Sequence, residues 1–112
     1  MTKRGEVWWG QAPFKGQGIY RPWLVVSTQS HPFLDEECIV LALTTTCHEE
    51  GVAVSSEAWV SGAPEVDSYV SPWYVTTLKL RELDCQHGRL DEGFVSKAVQ
   101  QLHDYVPVSV SS

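Results

Sequence analysis

Cations are scarce in this chain. Eight lysines and arginines stand against fourteen acids, a net charge of −6 over 112 residues, whereas a protein that binds nucleic acid by neutralising phosphates normally carries the opposite sign. Cysteine is scarcer still. Cys38, Cys47 and Cys85 are an odd number at irregular spacings, which argues against a disulfide framework and for free thiols in a reducing compartment. No apolar run approaches the length of a membrane span, and no apolar stretch follows Lys3 and Arg4 as it would in a signal peptide. The expectation is a soluble, cytoplasmic protein. Repeats, low-complexity segments and linkers are also missing, so residues 1–112 are expected to form one domain with a modest core, which oligomerisation would extend.

Metal-ligand spacing is absent as well. Cys47 with His48, and Cys85 with His87, match no common zinc pattern, and there is no C-x-x-C. Neither a metal nor a cofactor is expected. A cysteine nucleophile has no better support, since each cysteine lies in or beside a predicted strand, where a small buried thiol needs no further reason.

What charge there is lies unevenly. Residues 1–30 hold Lys3, Arg4, Lys15 and Arg21 against Glu6 alone, a balance of +3; residues 31–67 hold eight acids and no cation. The acidic middle reads as a solubilising surface, and the basic start leaves room for an anion on one face.

Short β-prone runs dominate. "EVWW" (6–9), "PWLVVST" (22–28), "CIVLALTTT" (38–46), "VAVS" (52–55), "DSYVS" (67–71) and "YVTTLKL" (74–80) are the strand candidates, with a Gly-rich loop at 10–18 and a turn at 30–37. Five to seven such strands suggest a small barrel or strongly curled sheet. After them Asp91 is a plausible helix N-cap, with Glu92 in the first turn where the helix dipole favours an acid. Phe94, Val95, Ala98, Val99, Leu102, Tyr105 and Val106 then follow helical spacing. One amphipathic helix over roughly 92–105 is expected to pack on the sheet, stopped by Pro107.

Two features invite chemistry. Arg21 stands at the start of an apolar strand, and a guanidinium there must be paired or must face an anion, because burying it alone costs several kcal/mol. A structural ion pair and an anion site both satisfy that demand. "LTTT" (43–46) ends the strongest strand; alternation puts Thr44 and Thr46 on one face and Thr45 on the other, and β-propensity alone also accounts for the run.

The order "RGEVWW", "PFKG", "RPWLVVS", "IVLALTTT", "YVTTLKL" and "GRLDEGFVSKAVQQL" resembles the MazF/PemK (Kid) family of type II toxin-antitoxin ribonucleases, from Arg4 to about Val106. The resemblance implies a mainly β, α+β fold, a small SH3-like barrel with a C-terminal helix. It also implies a homodimer that cuts single-stranded RNA without a metal and is neutralised by a cognate antitoxin. Residue by residue, it places the catalytic arginine on Arg21 and the catalytic threonine on Thr44, with Thr45 or Thr46 if the register slips. Candidate substrate contacts are Lys15, Gln17, Thr46, Trp73, Tyr74, Thr77 and Lys79.

Some parts depart from the family pattern. The loop before Arg21 is shorter and lacks a Ser-Glu-Gln-like stretch. Trp73, Tyr74 and Val75 stand where many relatives have an acid, Gln and Val, and the aromatic pair reads either as a base-stacking platform or as packing. Arginine is a poor general base, which leaves His31 as the nearest candidate. Two other activities fit such a barrel: gyrase poisoning, as in the CcdB family, and non-catalytic binding of RNA or protein, for which the acidity is the best argument.

Overall fold

A computed structural model describes residues 2–12, 18–64 and 66–110; Lys15 and Gln17 lie outside them. Seven strands form one sheet: β1 (Glu6–Gln11), β2 (Tyr20–Val25), β3 (Glu37–Thr44), β4 (Val52–Val54), β5 (Trp59–Ser61), β6 (Ser68–Lys79) and β7 (Leu83–Leu90). Their order is β4-β6-β3-β2-β1-β7-β5, with every neighbouring pair antiparallel. One helix, α1 (Glu92–Tyr105), follows. The curled, mainly β fold with a C-terminal helix is thus the one expected.

Alternation explains the curl. Along β2 and β3, Leu24, Leu41 and Leu43 point to one face, where they meet Val7, Val70, Phe94, Val95 and Ala98. Trp23, Val25, Cys38, Val40 and Ala42 point to the other, with Leu78, and Trp8, Tyr74 and Leu83 close over them. A sheet buried on both sides of its centre reads as continuous apolar runs, as "WLVV" and "CIVLAL" do. The helix covers one side, and the bent sheet margins close over the other.

Several boundaries move. The two strands expected at 67–71 and 74–80 are one, β6, whose pairing with β3 jumps from Ala42↔Ser71 to Leu41↔Val75. Pro72, Trp73 and Tyr74 form the bulge, the setting in which a sheet tolerates proline. Pro22 is not the first residue of β2, which begins at Tyr20, but it lies one residue short of the β2–β3 ladder, which starts at Trp23↔Ala42. Strand β3 stops at Thr44 rather than continuing to Thr46, because the Thr46 backbone N–H turns back to Thr44 Oγ1 at 3.1 Å. Strands β5 and β7 are additions. The Asp91 N-cap is present, its Oδ1 accepting from Phe94 N–H at 2.9 Å, but the apolar stripe of α1 does not extend to Tyr105 and Val106, which are 43% and 61% exposed.

Two charged ties close the fold's margins. Arg4 Nε donates to both Glu92 carboxylate oxygens at 2.6 and 3.1 Å, and its Nη1 donates to Val26 O at 2.9 Å, which joins the N-terminus to the first turn of α1. Lys79 Nζ lies 2.6 Å from Glu37 Oε1, and His31 Nε2 lies 3.6 Å from Oε2. The Lys79 hydrogen bond, chiefly, holds the Glu37 carboxyl below its ordinary value. A lowered native pKa adds stability that is complete above the unfolded carboxylate value, about 4.3, and is lost as pH falls through the native one. Thermal melts should therefore show wild type above Glu37→Gln at neutral pH, the gap closing below about pH 4; a gap of constant size down to pH 3 would mean the ion pair is not its source.

Candidate functional site

Carried two residues beyond its last pair, the β2–β3 register (Trp23↔Ala42, Leu24↔Leu41, Val25↔Val40) sets Arg21 opposite Thr44. Directly opposed residues share a face, so both side chains emerge on the Trp23 side of the sheet, away from α1. On the other flank Arg21 pairs with Gly10 of β1, which has no side chain to cover it.

The guanidinium is held from three directions. Its Nη2 donates to Leu43 O at 2.8 Å, and its carbon lies 5.5 Å from the Trp23 ring centroid and 5.3 Å from that of Tyr74, within cation–π range. Trp23 and Tyr74 meet edge to face at 5.5 Å, and the Trp23 indole N–H donates to Gly10 O at 3.2 Å, which locks the platform to β1. Arg21 Nε is buried and has no partner among the described residues. Desolvation lowers the Arg21 pKa, an effect that Tyr74 opposes, yet arginine starts so high that it stays a cation. No carboxylate pairs with Arg21 among the described residues, so of its two readings the ion pair is the one the geometry leaves without a partner.

Arg21 and Thr44, at the rim where β2 begins and β3 ends, border a cavity of about 540 Å³ whose Trp9, Pro22 and Leu43 walls belong to the other face of the sheet. Its walls are largely apolar, with Trp9, Ile19, Tyr20, Pro22, Pro64 and Val66, and its polar groups are Arg21, Thr44, Thr45, Ser68 and His87. A concave apolar site with a few convergent polar groups is the usual form of a ligand pocket. The Thr44 oxygen accepts from Thr46 N–H, which leaves its hydroxyl hydrogen available to donate.

The other sequence-derived candidates separate into groups. Tyr74 supports Arg21 from behind. Trp73, on the bulge, is 43% exposed and meets His48 at a tilt of 58° with centroids 4.9 Å apart. Thr46 is exposed and contributes its backbone to the Thr44 turn rather than a cavity wall. Thr77 pairs with Ile39 and Lys79 with Glu37; at about 3.3 Å per residue these lie about 16 and 23 Å along β3 from Thr44. His31 also belongs to that far end: its Nδ1 accepts from Phe33 N–H and its Nε2 faces Glu37. Among the described residues no cluster of three or more His, Cys, Asp or Glu is placed to hold a metal, and all three cysteines are free.

The cavity adds residues that sequence reading passed over: Trp9, Tyr20, Ser68 and His87. His87 lies on β7, a strand whose run "LDCQHGRL" mixes one acid, a glycine and polar residues with no steady alternation. The signal available was the glycine beside a histidine, which marks a close backbone approach.

A family model described as the PemK-like, MazF-like toxin of type II toxin-antitoxin systems matches residues 3–106. Solved structures of similar shape include an endoribonuclease in complex with its cognate antitoxin from a mycobacterial species (22% identity, TM-score 0.72, 98% of this chain and 97% of that one). A MazE–MazF complex of Deinococcus radiodurans aligns with 15% identity and a TM-score of 0.75 over 96% and 98% of the two chains. A Mycobacterium tuberculosis MazF toxin aligns with 20% identity and a TM-score of 0.71 over 94% and 99%. Among curated proteins, none matches the sequence significantly.

Proposed function

Because the chain belongs to the PemK-like, MazF-like toxin family, we propose that it is a sequence-specific, metal-independent endoribonuclease that cuts single-stranded RNA and is neutralised by a cognate antitoxin. One observation carries this reading: a half-buried guanidinium with no carboxylate partner among the described residues, set opposite a threonine hydroxyl at the rim of a cavity. A phosphodiester supplies what that pair lacks. Its oxygens take the planar fork of Arg21, and a third bond comes from Thr44 Oγ–H.

The chemistry asks little more of the protein. The RNA's 2′-hydroxyl attacks the adjacent phosphorus, the O2′–P bond forms and the P–O5′ bond breaks. The products are a 2′,3′-cyclic phosphate and a 5′-hydroxyl, with the net transfer of one proton from O2′ to O5′. Arg21 and Thr44 hold the phosphate in line and stabilise the charge that builds on its oxygens, a role in which fixed donors act most strongly. Tyr74 and Trp23 keep the guanidinium in place between turnovers. His31 and Lys79, at the opposite end of β3, take no part.

Its partners follow from the same site. An antitoxin that occupies the cavity at Arg21 blocks RNA by competition, and two copies of the chain form the working toxin in the cytoplasm. The mycobacterial endoribonuclease in complex with its cognate antitoxin, and the Deinococcus MazE–MazF structure, support a protein partner of this kind. The net acidity favours the second reading, a domain that binds without cutting. Incubation of purified protein with a long RNA in EDTA, followed by mapping of the ends, separates the two: discrete new 5′-hydroxyl ends are expected, and intact RNA bound by the protein would support the binder.

A further inference from the structure

His87 is a built feature of the cavity wall. Its ring stands edge-on to Trp9, centroids 5.5 Å apart at 83°, and edge-on to Trp59, 5.7 Å apart at 83°. The Trp9 indole N–H reaches His87 Nδ1 at 3.2 Å. An indole N–H only donates, so Nδ1 is the acceptor and the neutral ring carries its proton on Nε2. That second nitrogen makes no hydrogen bond among the described residues.

The backbone around the ring is fitted to it. A Cβ on Gly88 would fall 2.5 Å from Ser61 O and 2.9 Å from the Trp59 ring, so only glycine lets Trp59 lie against β7 beside His87. Gly62, at φ +70°, turns the β5 strand's exit so closely past His87 that a Cβ there would fall 2.4 Å from the His87 carbonyl oxygen. Two tryptophans and two glycines therefore fix one neutral donor.

Its place determines what it meets. Strands β2 and β7 flank β1, so at about 4.8 Å per strand His87 lies about 10 Å from the Arg21 strand, too far to share the same phosphate. Beside His87 the cavity is walled by Trp9, Pro22, Tyr20 and Ile19, a surface suited to the flat face of a base and not to another charged phosphate.

We propose that His87 is a specificity-determining residue: its Nε2–H donates to the carbonyl oxygen of an unpaired base seated in this cavity. The bond is made to O4 of uracil or O6 of guanine, so at one position of the cut site these are preferred over cytosine and adenine, which carry an amino group at the matching place and set donor against donor. The proposal rests on the reading that the Arg21 cavity cleaves RNA.

The test pairs cut-site mapping with a readout that needs no cleavage. Wild type, His87→Leu and His87→Gln are compared on RNAs that differ only by uracil or cytosine at the preferred position, and thermal melts check that each variant folds. Wild type is expected to favour uracil by about tenfold in kcat/KM, the scale of one buried hydrogen bond. His87→Leu should still cut, with that preference gone, and His87→Gln, whose amide reaches close to the Nε2 position, should retain most of it. The 15N shifts of wild-type His87 should report a proton on Nε2. A His87→Leu enzyme with unchanged preference, or a ring protonated on Nδ1 instead, overturns the proposal and leaves RNA cleavage at Arg21 standing. Wild type that cuts no RNA removes the parent reading as well.

Discussion

Arg21→Ala is expected to lower kcat/KM for RNA cleavage by on the order of 10² to 10³, the usual cost of deleting one donor aimed at developing charge. The same substitution should leave the fold standing. Arg21 makes one protein hydrogen bond, from Nη2 to Leu43 O, and its buried Nε makes none among the described residues. An unsatisfied buried polar atom costs about 1–3 kcal/mol, which offsets the cation–π contacts to Trp23 and Tyr74, so the melting temperature should hold or rise. Loss of activity with gain of stability is the signature of a group kept for function. Arg21→Lys should rescue little, since a point charge cannot span two phosphate oxygens while also bonding Leu43 O. Arg21→Ala with near-normal cleavage would remove Arg21 from the chemistry.

Trp23→Ala carries the largest expected effect on stability. Trp23 is fully buried, donates to Gly10 O and meets Tyr74 edge to face. Emptying such a site costs about 3–5 kcal/mol, a large share of the 5–15 kcal/mol that typically holds a domain together. Urea unfolding should show it as a lower midpoint. Trp23→Phe keeps an aromatic face under Arg21 and loses the bond to Gly10 O. It should cost less stability yet still slow cleavage, because Gly10 sits opposite Arg21 and the platform is no longer tied to β1. Equal stability of Trp23→Ala and wild type would mean that this half of the core contributes nothing.

The sequence was most legible where one periodicity ruled. The runs at 22–26 and 38–44 alternate so cleanly that the later residues of each strand divide between two faces, and the spacing from Phe94 to Leu102 marks the packed side of α1. It was least legible where the backbone broke period. Pro72 disguised β6 as two strands because a bulge resets alternation there, and β7 pairs through Leu83, Gln86, Gly88, Arg89 and Leu90, which follow no steady alternation. The same cause governs the site. Arg21 and Thr44 stood out because both mark the ends of regular strands. Lys79 and Thr77 share a strand with Tyr74, but strand length carries them to the far end. His87 was hidden because its importance depends on Trp9, Trp59 and two close glycine contacts that no local pattern announces. Arg4, part of the basic start, is taken up by Glu92 and Val26, and among the described residues of that start Arg21 is the cation that borders the cavity.

The central claim is that Arg21 and Thr44 hold a phosphate while the RNA attacks itself. It is tested most directly on a short RNA with a single mapped cut site, compared with the same strand carrying one 2′-deoxynucleotide 5′ to the scissile phosphate, both in EDTA. The all-RNA strand should be cut to a 2′,3′-cyclic phosphate and a 5′-hydroxyl, and the deoxy strand should bind and stay whole. Cleavage of the deoxy strand at the same position, or cleavage that chelation abolishes, would contradict the account.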